Sequence, residues 1–165
     1  MKTKPKIELE LSPIDQFWEI AGWVALVLLI GLAILSYFQL PETIPTHFNF
    51  KGEADDFGRK ETIFILPALG AIVFIGMTIL NRYPHIFNYS VEITKENAQR
   101  QYTLATRLIR YLKFSVLLVF AIITFVTFKV ATGALTEIGT WSILVVIFLL
   151  VFPSIFFALK LKKSK

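Results

Sequence analysis

The chain reads as an all-α membrane protein. Four transmembrane helices are predicted, with both termini cytoplasmic and an ordered outward loop between helices one and two. A cytoplasmic amphipathic helix continues into helix three. Composition, four long apolar runs and the distribution of lysine and arginine predict this. Hydrophobic residues make up 55% of the 165 positions and charged residues 18%, against about 25% charged in an ordinary soluble domain. That excludes a soluble globular enzyme. The absence of cysteine excludes a disulfide framework, a thiolate zinc site and a thiol nucleophile.

The first run, Ile20 to Leu40, has Ser36 and Gln39 as its strongly polar interruptions. As a helix it is about 31 Å long, matching a hydrocarbon core of roughly 30 Å. It is too long for a signal-peptide core and ends without a small-residue cleavage site, so a retained signal anchor is expected. Then comes the outward loop, described below. Thr62 to Leu80 is the second run and carries no charge. The third, Phe114 to Phe128, is lengthened by apolar residues on both sides, and the fourth spans Trp141 to Leu159. Lipid offers no partner to an unpaired peptide group, so each must be helical. Pro67 and Pro153 fall inside runs two and four and predict kinks. Trp18, Trp23, Tyr83, Tyr111 and Trp141 lie near the run ends, where amphipathic rings anchor at the interface.

The middle segment, residues 81–113, carries its own pattern. Phe87, Tyr89, Val91 and Ile93 alternate with polar residues, the period of a short half-buried strand. Thr94 reads as an N-cap, with a helix from Lys95 running unbroken to Ala131. Arg100, Arg107 and Arg110 lie largely off its apolar face, which suits phospholipid headgroups or a cytoplasmic regulator. Helices three and four, within residues 114–160, form an antiparallel hairpin through the short connection Lys129 to Thr140. The whole chain is one integral membrane domain.

Thirteen lysines and arginines lie in the two termini and the middle segment, and four lie in the two remaining loops. The positive-inside rule therefore places both termini in the cytoplasm of a plasma membrane. It also accounts for the pI of about 9.5 without a nucleic-acid partner.

The outward loop, Pro41 to Glu61, has a net charge of −2. Pro41 and Pro45 hold it extended, Gly52 and Gly58 supply turns, and Asp55-Asp56 suits an Asx turn. Ile44, Phe48, Phe50 and Phe57 supply a small apolar nucleus, and Lys60 sits at the mouth of helix two. Pro41, Ile44, Pro45, His47, Phe48, Asn49, Gly52, Asp55, Gly58 and Lys60, with Pro67 beyond, form a spaced pattern between two apolar helices. Over residues 18–80 it resembles the bacterial domain-of-unknown-function 1648 membrane family, which is related to the SdpI-type immunity proteins. The resemblance implies a multi-spanning plasma-membrane protein that protects against a secreted toxic peptide, some members also relaying a signal to a membrane-held repressor. The second half of this chain does not follow the SdpI-type pattern.

The residues themselves support two readings. In the first, His47, Phe48, Asn49, Asp55, Asp56 and Lys60 form a non-enzymatic surface for a secreted peptide or an envelope component. In the second, His47 and Asp55, with nearby carboxylates, hold a divalent metal for a membrane enzyme or small-molecule handler. No catalytic residue and no cofactor is assigned. Ser36 and Ser90 lack a neighbouring base, and His85 falls across the membrane from His47. The apolar runs hold no ionisable group apart from Glu19 and Lys129 near their ends, which speaks against an ion-coupled carrier. A homo-oligomer is compatible with the sequence.

Overall fold

Pro13 opens the first helix, and Ser12 caps it. The Ser12 backbone N–H donates to Asp15 Oδ2 at 3.2 Å and its hydroxyl donates to the same oxygen. Asp15 also suits the positive end of the helix dipole. The computed structural model describes residues 4–139 and 141–163; Lys2, Lys165 and Thr140, used in the charge and loop readings above, lie outside them. Helix α1 runs Pro13–Tyr37, then strands β1 (Thr43–Phe48) and β2 (Ala54–Arg59), and a 3-10 stretch (Lys60–Phe64) leads into α2 (Ile65–Leu80). Helix α3 runs Ala98–Ala131. The fourth rod is α4 (Trp141–Val146), a π-helical stretch (Ile147–Val151) and α5 (Phe152–Lys163). Among the described residues, four helical spans are long and apolar enough to cross a membrane.

Helix α3 is the central post. One face carries Leu117, which meets Leu26 and Leu29 of α1 and Phe74 of α2 in a buried cluster. Its other side receives the fourth rod. Gly70 permits a close approach here, because a Cβ would lie 2.9 Å from Leu29 and 3.0 Å from Leu117. In lipid such contacts stabilise by packing rather than by expelling water.

The prolines differ in effect. Pro67 is the third residue of α2, and the 3-10 stretch ahead of it gives way to α-helix just before the proline. Pro153 stands two residues past the π-helical stretch, so the regular ladder is interrupted there as expected.

The loop between the first two helices is a β-hairpin rather than a set of turns. Its strands pair antiparallel, Ile44 with Gly58 and Pro45 with Phe57, with irregularities around His47. Asp55 and Asp56 lie within β2 instead of forming an Asx turn, and Gly58 is a strand residue. The expected strand at residues 87–93 does not form. A 3-10 turn, Pro84–Ile86, is followed by irregular chain, because no partner strand is within reach. Phe87 and Tyr89 instead stack on each other, and Tyr89 packs on Tyr102 of α3. Thr94 is not the N-cap either. Helix α3 starts at Ala98 with Asn97 at its cap, and the Asn97 side chain accepts from the Thr94 N–H at 2.9 Å.

At the end carrying the termini, the headgroup assignment of Arg107 and Arg110 gives way to pairing inside the bundle. Arg107 Nε donates to Asp15 Oδ1 at 2.7 Å, and Arg110 lies 3.4 Å from Glu19. Lys113, fully buried, donates to Glu19 at 2.6 Å and to Thr78 of α2 at 3.0 Å, above the Phe74 ring. Arg100 alone of the three arginines is exposed. The helices therefore carry ionisable groups beyond the ends of the charge-free runs. Those runs stop where charge begins, whereas the helices continue and neutralise their charges against one another.

Candidate hairpin site and the cavity beneath it

The site is built on an anchored platform. Ile44 of β1 is buried with Ala33 and Leu40 from the end of α1 and Ile63 from the entry to α2, and Phe128 of α3 packs against them. This holds the hairpin base to the helix ends. Lys60 lies at the same base, where its ammonium donates to Glu42 at 2.7 Å and sits over the Tyr37 ring.

Asn49 makes the tip. Its side-chain carbonyl accepts from the N–H groups of Lys51 and Glu53 at 2.8 and 3.1 Å, and its amide donates to Glu53 Oε2 at 2.9 Å. Gly52 has φ +86°, a conformation open to glycine. Its carbonyl accepts from the Ile138 N–H at 2.8 Å, which ties the tip to the connection between α3 and α4. A Cβ at Gly52 would fall 1.7 Å from the Ile138 carbonyl oxygen. Phe50 is 98% exposed and Phe57 58% exposed on this otherwise tethered unit.

Across the strands, His47 Nδ1 lies 2.6 Å from Asp55 Oδ1, and both side chains are well exposed. Asp56 points to a different set of partners, accepting from the Thr46 hydroxyl at 3.2 Å and the Phe57 N–H at 2.9 Å.

Beneath the hairpin is a cavity of about 850 Å³. Its roof includes His47, Phe48, Asn49 and Asp55, and its walls come from the start of α2, the second half of α3 and the fourth rod. The cavity thus separates α2 from the fourth rod. Thr124 of α3 stands in its wall, almost fully buried, with a hydroxyl that has no partner.

Of the six hairpin residues singled out by sequence, four line this cavity. Asp56 faces elsewhere, and Lys60 is held at the base. Asn49 is occupied in shaping the turn. For metal binding, His47 and Asp55 bring two donors together; among the described residues no group of three His, Cys, Asp or Glu side chains gathers. Sequence reasoning missed the cavity, Thr124 and the contribution of the fourth rod. Thr124 offered a partial signal, being a hydroxyl in an apolar run.

Residues 24–71 match the family described as a domain of unknown function, DUF1648. That stretch contains the hairpin and the adjoining halves of α1 and α2. A protein of Archaeoglobus fulgidus, named as uncharacterized, is 45% identical over 73 residues, which is 39% of this chain and 40% of the relative. The chain therefore spans about two fifths of that relative's length, and the similarity extends to an archaeon. No solved structure matches.

Proposed function

We propose that this is a non-enzymatic membrane receptor that binds a secreted peptide or an envelope component through its outward hairpin, in the manner of immunity-type protection or signalling. The observation that carries the reading is the tethered hairpin with Phe50 and Phe57 held outward. Exposed aromatic rings on a pre-ordered platform bind at low entropic cost, which is the usual composition of a binding hot spot. The excess of carboxylates on the hairpin favours a cationic partner and faster encounter with it. The positive-inside distribution supports a plasma-membrane orientation with this hairpin outside and the termini in the cytoplasm.

The resemblance to the SdpI-type proteins supports protection as the outcome of binding. Signalling would require a cytoplasmic regulator at the opposite end, where Arg100 remains exposed. The metal-assisted alternative rests on the His47–Asp55 contact.

The test is a challenge of cells with cationic amphipathic peptides secreted by neighbouring strains, with membrane insertion verified for each variant. Wild type should protect, while Phe50→Ala with Phe57→Ala should insert and fail to protect. Protection that survives this double substitution and disappears with His47→Ala and with chelation would replace the receptor reading with the metal one.

A further inference from the structure

The cavity beneath the hairpin has a chemistry of its own. Its walls are apolar, with Leu66, Ile123 and Val146 contributed by three different helices. Among the described residues no lysine or arginine lines it, and the ionisable groups on its surface are His47 and Asp55, both in the roof. Its volume falls within the roughly 300–1,000 Å³ of small-ligand sites. Thr124 adds an independent pointer. Thr78, Thr103, Thr106 and Thr132 each donate their hydroxyl to the carbonyl four residues earlier. Thr124 makes no such bond, and its oxygen is buried and unpaired. A buried hydroxyl without a partner costs about 1–3 kcal/mol; the Thr124 oxygen is itself covered, so a ligand polar atom relieves that cost where the wall yields to admit it.

We propose that the cavity seats the apolar chain of a cationic amphiphile, with the cationic head at Asp55 and a hydrogen-bonding group near Thr124. This deepens the receptor reading and rests on it, since the head is held by the hairpin. His47 already engages Asp55 at 2.6 Å, so the cationic head shares or displaces that contact, and with no lysine or arginine among the described lining residues an anionic head is disfavoured. The apolar chain reaches its seat between α2 and the fourth rod, from the bilayer side.

The experiment uses the full chain in phosphatidylcholine nanodiscs. Two photoactivatable probes are compared, a dodecylammonium and a dodecanoate, each with a diazirine near the chain end, and crosslinked residues are mapped by mass spectrometry. The ammonium probe should label Leu66 and Ile123 roughly tenfold more than the carboxylate probe. Asp55→Asn should bring that ratio close to one. Val146→Trp, which fills the cavity, should abolish wall labelling, and Ser142→Trp provides a second plug should the first disturb folding. Equal wall labelling by both probes overturns the assignment and identifies ordinary bilayer chains as the occupant. Wall labelling unchanged by both plugs also overturns it. If head preference then survives at the hairpin and still depends on Asp55, the receptor reading stands without the cavity. If Asp55→Asn changes nothing, the seat for a cationic amphiphile falls, while the receptor reading is decided separately by the Phe50→Ala with Phe57→Ala protection assay.

Discussion

Glu19 is shared by two cations, and this makes the two ends of its ion pairs unequal. Lys113 is fully buried at 2.6 Å from Glu19, and the largely buried Arg110 is 3.4 Å from the same carboxylate. Glu19→Gln leaves Lys113 without a carboxylate partner and Arg110 with the field of Asp15 alone. Removing one partner of a buried pair costs about 3–5 kcal/mol. The new amide carbonyl still accepts from Lys113, and Glu19 is 27% exposed, so about 3 kcal/mol is expected. Lys113→Met leaves Glu19 still paired with Arg110 and replaces the buried stem with an apolar one. Its cost is the lost Glu19 and Thr78 bonds and the contact with the Phe74 ring, offset by no longer burying an ammonium, for a net of about 1 kcal/mol. Equilibrium unfolding in mixed detergent micelles, followed by Trp18 fluorescence beside the cluster, measures both. Equal costs, or a larger cost for Lys113→Met, would refute the shared-carboxylate argument.

Gly52→Ala should release the hairpin tip, since it meets both the positive φ and the Ile138 carbonyl. Hydrogen exchange at the Ile138 amide should accelerate at least several-fold while α1 and α3 remain protected. Gly76→Ala, in open space on α2, should stabilise by about 0.5–1 kcal/mol. Gly70→Val, against Leu29 and Leu117, should destabilise by about 1–3 kcal/mol, both read from the same unfolding assay. The Thr94 hydroxyl holds the Glu96 carboxyl below its usual value. Thr94→Ala should raise it toward that value in an NMR titration. The depressed value favours the folded form above the usual carboxylate range, and that contribution disappears as pH falls through the folded titration.

Much of the architecture was legible because membrane helices are written in uninterrupted apolar length. The third helix followed from the same logic, and Gly133, at φ +74°, takes the turn that ends it, whereas Gly139 lies in irregular chain. The hairpin was harder. Thr43–Phe48 and Ala54–Arg59 contain two prolines' worth of doubt between them and their approach, a glycine opposite Ile44, and adjacent aspartates, none of which favours a strand. Pairing is imposed by the Asn49–Gly52 turn and by burial of Ile44 against the helix ends. The converse happened at residues 87–93, where a good alternation found no partner strand. His47 and Asp55 were picked out by residue type, yet their contact depends on that pairing. Asp15 and Glu19 on one helix, and Arg107, Arg110 and Lys113 on another, have matching helical spacing. Apolar-run boundaries hid the match, because they ended before these residues began.

The Glu19–Lys113 contact joins residues 94 positions apart, and the chain is made in order. At about 5–20 residues per second, the first helix waits roughly 5–20 s before its counter-charge emerges from the ribosome. During that interval Asp15 and Glu19 lack the cations they pair with in the folded chain, and the third helix brings Arg107, Arg110 and Lys113 to them within seven residues.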